Sequence, residues 1–392
     1  IMQKNKSLIL GITGGIAAYK VAELVRLCIK ADIDVQVVMT ESATQFITPM
    51  TMQALSGKPV FVGMWDSTID NGMPHIELSR EADAILIAPA SAEFIAKLLH
   101  GRADDLLSTL CLARNCPLLV APAMNKQMWE NPATQRNFAQ LKADRIAVFG
   151  PSNGEQACGE TGDGRMLEAT ELLAHIKAHF TPKIFANKKI LITAGATIEM
   201  IDPVRAITNL SSGKMGYALA QAAADMGATV TLVSGATQLP APFNVNMHHA
   251  SDAASMHRIV MENVSDQDIF IGVAAVADYS PNEVANQKIK KNEGSLTLHL
   301  KRNQDILATV ANLPNPPFCV GFAAESERVI EYASQKRIEK KLPLIVANEV
   351  NSAIGRDENQ VTLIDKNGNH ALARDDKYKI AKAIMQHIQQ ML

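Results

Sequence analysis

Apolar and polar residues follow one another along the chain in blocks that predict strands followed by helices. In residues 7–180, polar loop and helix signals follow each of five apolar runs, at 8–12, 33–39, 84–89, 117–122 and 145–149. Short, nearly continuous apolar runs are typical of parallel strands buried on both faces. We therefore predict an α/β domain with a mostly parallel sheet, ending with a helix at about residue 180.

The same alternation starts again near residue 188. The predicted strands are 189–194, 228–233, 268–274, 318–322 and 343–347, and the predicted helices are 213–226, 251–264, 304–312, 326–341 and 374–391. Both halves open with a strand, a glycine-containing loop and a helix, which is typical of nucleotide-binding α/β domains. We predict two such domains, residues 1–180 and 188–392, with a linker at 181–187.

Two segments depart from this alternation. Residues 150–165 contain five glycines and no periodicity, which predicts a loop that acts as a flap. Residues 296–300 alternate like an edge strand, and a basic arm, residues 288–291, precedes them. The arm is either a solvated run of charge or a flap that covers a phosphate.

Composition narrows the class of partner. The 392 residues carry 38 Lys and Arg against 40 Asp and Glu, a net charge of −2, which favours neither nucleic acid nor an anionic membrane. No apolar run approaches the roughly 20 residues that span a bilayer, and no secretory signal opens the chain, so we expect a cytoplasmic protein. The five cysteines include no CxxC pair, so we expect neither a disulfide framework nor a zinc site.

The first loop, residues 11–15, lies between a strand and a helix. Its backbone N–H groups, including those of Gly14 and Gly15, could hold a phosphate, although a plain tight turn is the alternative. After the second strand, Glu41 would suit the ribose of NAD, whereas the hydroxyls of Thr40 and Ser42 would suit a flavin phosphate. The loop alone leaves both cofactors open.

Three polar residues of the first half are candidates for chemistry. His75 precedes a short helix and is either a surface or capping residue or a catalytic one. Asn125 follows the fourth strand, where an amide commonly caps the next helix. Cys158 lies among glycines, where a reactive or proton-donating thiol is a better interpretation than a packed one.

The second half concentrates polar residues where its first strand leads into a helix. Arg205, Asn209 and Lys214, with Ser211 and Ser212, could hold a carboxylate or phosphate at a helix N-terminus. Asp278 ends a predicted strand and could carry Mg²⁺ through water.

Read together, these motifs resemble a known family. TGGIAAYK (13–20), HIEL (75–78), PAMNKQMW (122–129) and ACGETGDGRM (157–166) resemble the flavin-containing cysteine decarboxylases. AGATIEMIDPVRAITNLSSGKMG (194–216), AAVADY (274–279), KIKK (288–291) and GFAAE (321–325) are similar to phosphopantothenate–cysteine ligases. Nearly the whole chain thus resembles the bacterial fusions of phosphopantothenoylcysteine decarboxylase to phosphopantothenate–cysteine ligase, which serve coenzyme A synthesis.

The resemblance implies a flavodoxin-like or Rossmann-like decarboxylase domain that uses FMN. Oxidation of the substrate's thiol carbon to a thioaldehyde would provide the electron sink for loss of CO₂. His75 would assist this half of the reaction, Asn125 would hold the substrate's carboxylate and amide, and Cys158 would donate the final proton. FMN would be held by Gly14, Gly15, Thr40 and Ser91.

For the second half, the resemblance implies a Rossmann-like ligase domain. CTP would convert 4′-phosphopantothenate to an acyl-cytidylate, which L-cysteine attacks to give 4′-phosphopantothenoylcysteine, the substrate of the first domain. Arg205 and Asn209 would orient the acyl-cytidylate, and Lys288 would neutralise charge on the departing pyrophosphate. The implied CTP-binding set is Gly272, Val273, Ala274, Asp278, Lys288, Asn303, Gln304, Asp305, Ile306, Phe322, Lys336 and Lys340.

Three further expectations come from the resemblance. Mg²⁺ would bind indirectly at Asp278. Gln304 stands where the family motif has proline, which loosens the nucleotide assignment there. The family also implies a homo-oligomer, with decarboxylase trimers that could assemble into a dodecamer and with ligase dimers.

Two other functions compete with this one. An NAD(P)-dependent reductase with duplicated Rossmann-like domains would explain both glycine-containing openings, but neither half supplies GxGxxG together with a strand-end acid. A flavin-binding regulatory subunit would keep the first cofactor and give Cys158 and the basic arm no role.

Overall fold

The computed structural model describes residues 5–64, 74–157, 159–290, 294–349 and 357–392, except for the side chains of Pro74, His75 and Glu349. The chain divides into two compact units, Ile1–Phe180 and Thr181–Leu392. Residues 181–187, for which we predict a linker, belong to the second unit. Phe185 is fully buried in the core of that unit, and its N–H donates to the Met226 carbonyl.

The first unit is built on a five-stranded parallel sheet with the order β2-β1-β3-β4-β5. Its strands are β1 (Lys6–Ile12), β2 (Ile33–Met39), β3 (Ala84–Ala90), β4 (Leu118–Pro122) and β5 (Ala147–Val148). Its helices are α1 (Ala18–Lys30), α2 (Pro49–Ser56), α3 (Pro74–Glu81), α4 (Ala92–Leu99), α5 (Leu106–Ala113), α6 (Lys126–Glu130), α7 (Pro132–Ala143) and α8 (Ala169–Phe180). All five predicted strands are confirmed.

Helices cover both faces of this sheet because alternate strand residues point to opposite sides. Leu8 and Leu10 of β1 pack in one core with α1 and α8, whereas Ile9 packs in the other with α4 and α5. Within α1, the buried residues recur every three or four positions, as a helix with one apolar face requires.

Residues 150–165 are not the loop that we predict. They form an antiparallel hairpin of β6 (Ser152–Glu155) and β7 (Thr161–Arg165). Backbone pairing and a turn in which the N–H of Gln156 donates to the Glu160 carbonyl hold the hairpin together. Because neither depends on an apolar alternation, the sequence pattern does not reveal the hairpin.

The second unit contains an eight-stranded sheet with the order β12-β11-β8-β13-β16-β17-β19-β20. These strands are β8 (Lys189–Ala194), β11 (Thr229–Ser234), β12 (Asn246–His249), β13 (Ile269–Gly272), β16 (Phe318–Glu325), β17 (Leu344–Glu349), β19 (Val361–Asp365) and β20 (Gly368–Ala371). The first six are parallel, and β19 and β20 add an antiparallel hairpin. Numbered within the unit, the parallel part has the order 3-2-1-4-5-6 of a dinucleotide-binding sheet.

Helices again cover both faces. The helices among the described residues are α9 (Lys214–Asp225), α10 (Ala253–Asn263), α11 (Ile306–Ala311), α12 (Val329–Glu339) and α13 (Lys377–Met391). α9 and α13 share one core, and α10, α11 and α12 share the other. Gly216 lets α9 approach β8, because a Cβ there would lie 2.4 Å from the Cβ of Ala194. Among the described residues, no helix has the length and apolar content needed to cross a bilayer.

The part of the unit that the structure describes also contains three two-stranded ribbons: β9 (Ile198–Met200) with β10 (Ala206–Thr208), β14 (Tyr279–Pro281) with β15 (Leu300–Arg302), and β18 (Glu358–Asn359) with β21 (Asp375–Asp376). The edge strand predicted at 296–300 is wrong in its bounds, since the paired strand begins at Leu300. The alternation of Leu296, Leu298 and Leu300 gives no buried face, because all three are exposed.

Candidate functional site

In the first unit, the loops after β1 and β3 meet at the point where the strand order reverses. The Thr13 hydroxyl donates to the Pro89 carbonyl at 2.5 Å and accepts from the backbone N–H of Ser91 at 3.0 Å. Open α/β sheets bind ligands outside the carboxyl ends of their strands at such a reversal. These two hydrogen bonds therefore fix the walls of a candidate ligand site.

The loop at 14–16 has the properties of a phosphate cradle. Among the described residues, the backbone N–H groups of Gly14, Gly15 and Ile16 have no acceptor, and they lie at the N-terminus of α1. A Cβ on Gly14 would lie 2.8 Å from the Cβ of Ser42, whereas one on Gly15 would meet nothing within 4 Å. The loop is thus closely packed on one side and open on the other, where its N–H groups could donate hydrogen bonds to an anion.

Hydroxyl groups border this cradle. The Thr40 hydroxyl lies 3.2 Å from that of Ser42 and accepts from the N–H of Ala43 at 3.2 Å. The Ser91 hydroxyl caps α4 by accepting from the N–H of Phe94. The four residues for which we predict FMN contacts, Gly14, Gly15, Thr40 and Ser91, all follow the carboxyl ends of β1, β2 and β3.

The hairpin of β6 and β7 packs on the turn that carries Asn125. The N–H of Met124 donates to the Gly164 carbonyl at 2.9 Å, and that of Lys126 donates to the Gln156 side chain at 3.0 Å. Gly164 has φ of +125°, and a Cβ there would lie 2.4 Å from the Met124 carbonyl oxygen. The hairpin and the turn after β4 therefore form one assembly at the carboxyl edge of the sheet.

In the second unit, a cavity of about 400 Å³ lies at the reversal between β8 and β13. The Thr193 hydroxyl, at the end of β8, accepts from the N–H groups of Val273 and Ala274 at 3.2 and 3.3 Å. Asn209, Ser211, Ser212 and Lys214 line the cavity from the loop that leads into α9. The N-terminus of α9 begins there, which favours an anionic ligand.

Two lysines add positive charge to the cavity. Lys377, only 8% exposed at the start of α13, lines it together with Lys214. Burial lowers the pKa of Lys377, and the neighbouring charge of Lys214 lowers it further, against the opposing effect of Asp357. Lys214 forms an ion pair with Asp357 at 2.6 Å, which lowers the pKa of that carboxyl. A buried cation beside a helix N-terminus is suited to a phosphate or carboxylate.

Beside the cavity, Asp202 and Arg205 hold the basic arm. The buried carboxylate of Asp202 accepts from the N–H of Ile289 at 3.1 Å, and Arg205 donates to the Ile289 carbonyl at 2.6 Å. Arg205 also pairs with Asp202 at 2.7 Å. Burial raises the pKa of Asp202, but hydrogen bonds from Val204, Ile289 and Arg205 outweigh it and lower the pKa to about 2.

Both halves of the chain match known protein families. Residues 1–181 match the Flavoprotein family, and residues 185–392 match the DNA/pantothenate metabolism flavoprotein C-terminal domain. The coenzyme A biosynthesis bifunctional protein CoaBC of Vibrio cholerae serotype O1 (strain ATCC 39315 / El Tor Inaba N16961) is 50% identical over 394 residues, 99% of each chain. That of Escherichia coli (strain K12) is 46% identical over 392 residues, 98% of this chain and 97% of the other.

The chain belongs to the CoaBC family. A crystal structure of the C-terminal domain of a CoaBC protein is 40% identical and covers 53% of this chain and 97% of that one, with a TM-score of 0.47. The first unit of this CoaBC chain is its flavoprotein domain, which accords with the sheet order 2-1-3-4-5 of flavodoxin-like folds.

Of the three predicted decarboxylase residues in this CoaBC chain, the structure describes one side chain. Asn125 is exposed and caps α6, with its oxygen accepting from the N–H of Met128 at 2.9 Å and its amide donating to Gln127 at 3.2 Å. His75 lies in the first turn of α3 rather than ahead of it, and its side chain is outside the described residues. Cys158 is outside them as well.

The predicted CTP set divides into two groups. Val273, Ala274 and Phe322 line the cavity, and Gly272 ends β13 beside them. The other group is not part of the cavity lining.

In that second group, several side chains are already paired. The Asn303 amide donates to the Ala277 carbonyl at 2.8 Å, and its oxygen accepts from Ser280. Asp305 caps α11, immediately before Ile306, and pairs with Lys340 at 2.7 Å, while Lys336 pairs with Glu325 at 2.6 Å. Asp278, Lys288 and Gln304 are exposed.

Of the two residues predicted to orient the acyl-cytidylate, only Asn209 lines the cavity. Its amide donates to the Ala275 carbonyl at 3.0 Å. Arg205 does not line it, because its guanidinium is occupied by Asp202 and Ile289. The structure thus places Arg205 at the base of the arm that carries Lys288, and Lys291 of that arm lies outside the described residues.

The sequence reasoning missed several cavity residues. Lys377, Asn348 and Asn359 line the cavity but lie more than a hundred residues beyond the loop of Asn209 and Ser211. No spacing pattern connects them, because the sheet topology alone brings β17, β18 and α13 to this edge. Asp202 was also missed, although an acid three residues before an arginine is a recognisable signal.

Proposed function

We propose that this chain catalyses two consecutive steps of coenzyme A synthesis. The second unit would join 4′-phosphopantothenate to L-cysteine with CTP, and the first would decarboxylate the resulting 4′-phosphopantothenoylcysteine to 4′-phosphopantetheine. The observation that carries the proposal is that the chain aligns with CoaBC proteins over nearly their whole length, while each of its two units has its own site at a strand reversal. Two separate sites suit two reactions in one chain.

The first site would hold FMN. Three unpaired backbone N–H groups and the close packing of Gly14 on Ser42 fit the phosphate of that cofactor. When bound, FMN would supply the two-electron oxidation that provides an electron sink for loss of CO₂ and would later return the hydride.

The residues of this chain would then orient the substrate and move protons. Asn125 has its oxygen fixed by the cap of α6, so its amide is the part that can exchange Gln127 for the substrate's carboxylate. His75 would assist the first half of the reaction, and Cys158 would donate the final proton. A thiol suits that step because it is a stronger acid than a hydroxyl, with an ordinary pKa of about 8.5.

The second site would bind the acyl substrate and the nucleotide. Lys214, Lys377 and the N-terminus of α9 would hold the negative charge in the cavity, and Asn209 would position the acyl group. Lys288 would approach the departing pyrophosphate from the arm that Asp202 and Arg205 hold. The exposed carboxylate of Asp278 would hold Mg²⁺ through water, and the ion would supply positive charge for the phosphates.

We extend the proposal to assembly and compartment. The resemblance supports decarboxylase trimers and ligase dimers, and the cysteine usage supports the cytoplasm. The four described cysteines are free thiols, and burial raises the pKa of Cys28, Cys111 and Cys319 to about 12, which is typical of packing residues in a reducing compartment. Mass measurement of the intact particle would test the assembly.

Mass spectrometry of small molecules released from the purified full chain would test the cofactor. We expect FMN and a yellow protein. A nicotinamide dinucleotide in its place would favour the reductase. A colourless protein that is inactive as a decarboxylase after addition of FMN would contradict the proposed first activity.

A further inference from the structure

Three potential metal ligands meet in the second unit, away from its cavity. Asp365 ends β19, His370 lies on β20 and His387 lies on α13. The antiparallel pair Ile345 and Ile364 places Asp365 beside the amino end of β17, whereas Asn348, near the other end of β17, lines the cavity. The cluster is therefore at the sheet edge opposite the proposed nucleotide site.

The three side chains converge on one point. The Nε2 atoms of His387 and His370 lie 2.9 and 3.2 Å from the same carboxylate oxygen of Asp365, Oδ2. The three potential ligand atoms lie within 4.8 Å of one another. The other carboxylate oxygen accepts from the backbone N–H of Asn367 at 2.6 Å, which fixes the direction in which Oδ2 points.

Hydrogen bonding does not account for the whole cluster. The Asp365 side chain is 1% exposed, and His387 can donate to it. The Nε2 atom of His370 is also buried, yet it has no hydrogen-bond partner among the described residues despite its proximity to Asp365. A buried nitrogen without a partner costs free energy, and a cation bound between the three side chains would remove that cost.

We propose that Asp365, His370 and His387 bind one divalent transition-metal ion, of which Zn²⁺ is the model. Two imidazoles and one carboxylate are ligands that zinc accepts in tetrahedral sites, with water as the fourth. Imidazole nitrogens select such ions over Mg²⁺, so this site differs from the proposed Mg²⁺ site at Asp278.

The proposed ion would link separate elements of the fold. Its ligands come from β19, β20 and α13, so it would fasten the antiparallel hairpin to the C-terminal helix. The expectation from cysteine spacing that there is no zinc site does not cover this cluster, which contains no cysteine. The proposal also does not depend on the chemistry proposed for the cavity.

The test is metal binding by the full chain after removal of metals with a chelator. Titration with Co²⁺, followed by visible absorption, should give one tetrahedral site per chain that Zn²⁺ displaces, and Zn²⁺ should raise the Tm. His370→Gln and His387→Gln should each weaken the site at least tenfold and reduce the rise in Tm at the same Zn²⁺ concentration. His249→Gln, at an exposed position on β12, is the matched control and should bind like the wild type.

Two results would overturn the proposal. One is a wild-type chain that binds neither ion at micromolar concentrations. The other is binding that His370→Gln and His387→Gln leave as tight as in the control. His370 lies on a hairpin with its side chain 41% exposed, so its variant should fold and carry the test even if the variant of His387 does not.

Discussion

The buried carboxylate of Asp202 accepts a hydrogen bond from the N–H of Ile289, the residue that follows Lys288. Arg205, paired with Asp202, donates to the carbonyl of the same residue, so Ile289 is held at both its N–H and its C=O. Two fixed points beside Lys288 limit where its ammonium group can reach. The clamp of Asp202 and Arg205 on Ile289 would thus position Lys288 if that lysine meets the departing pyrophosphate as proposed.

Asp202→Asn should impair the ligase and spare the decarboxylase. Loss of the charged acceptor would loosen the arm, and displacement of a catalytic group by about 1 Å can cost roughly 100-fold in rate. Pyrophosphate release should fall, while CO₂ release from supplied 4′-phosphopantothenoylcysteine should not change. Asp266→Asn is the control, because Asp266 pairs with Lys189 at the start of β8, whereas the cavity lies at the end of that strand.

The double variant Asp202→Asn with Lys288→Gln separates positioning from a general structural effect. If Asp202 acts through Lys288, the two losses should not add, because the second change removes a group already misplaced. Additive losses would assign Asp202 to the stability of the loop alone.

The contribution of Asp202 to stability should depend on pH in a defined window. Its pKa is lowered to about 2 in the folded chain, whereas an unfolded aspartate has a pKa of about 3.9. A lowered acid pKa stabilises the folded state above the unfolded pKa and ceases to do so as the pH falls through the folded value. Urea unfolding of wild type and Asp202→Asn should differ at pH 7 and converge between about pH 4 and 2.

Lys288→Gln should reduce acyl-cytidylate formation while leaving CO₂ release intact. Loss of one charge-stabilising contact in a transition state typically costs about 10²–10³-fold in rate. Lys290→Gln, an equally exposed lysine two residues away, is the matched control and should change the rate little. If Lys288→Gln releases pyrophosphate as fast as the nearly unchanged Lys290→Gln control, the arm is only a solvated surface.

Lys377→Gln should weaken binding of the anionic ligand in the cavity by roughly 10- to 100-fold, as expected for loss of a charged hydrogen bond. Burial and Lys214 lower the pKa of Lys377, so it should lose its charge at a lower pH than an ordinary lysine. In the wild type, binding of CTP and of 4′-phosphopantothenate, measured by calorimetry, should therefore weaken as the pH rises. The loss should begin below the ordinary lysine pKa of about 10.4. The variant should lack this step, and Lys379→Gln should retain it.

Gly14→Ala should remove FMN without unfolding the first unit. The added Cβ would lie 2.8 Å from the Cβ of Ser42, so the loop would have to move away from β2. Flavin content, read from absorbance after gel filtration, should fall in Gly14→Ala. Adding Ser42→Gly removes the opposing Cβ and should restore part of the flavin. If the double variant regains no flavin, the clash with Ser42 is not the cause of the loss.

The parts of the fold that the sequence pattern predicts are those governed by burial. β3 reads as a strand because all seven of its residues are buried. The hairpin of β6 and β7 was missed because backbone pairing and contacts with Lys126 and Met124 hold it, not an apolar face. Leu296 was misassigned because alternation alone does not supply a pairing partner.

Site residues follow the same division. Asn209 and Lys214 were predicted because they cluster in one loop that leads into a helix. Lys377 was not, because its place in the cavity depends on how α13 packs against α9. Arg205 was predicted from the same loop, but its partners Asp202 and Ile289 place it at the arm rather than in the cavity, a relationship that spans more than eighty residues.

The account as a whole depends on two activities in one chain. The most direct test supplies purified protein, loaded with FMN and Mg²⁺, with 4′-phosphopantothenate, L-cysteine and CTP, and follows products by mass spectrometry. We predict 4′-phosphopantetheine, with one CO₂ and one pyrophosphate released for each molecule formed. Consumption of neither CTP nor 4′-phosphopantothenate, with no CO₂ released from supplied 4′-phosphopantothenoylcysteine, would contradict the account.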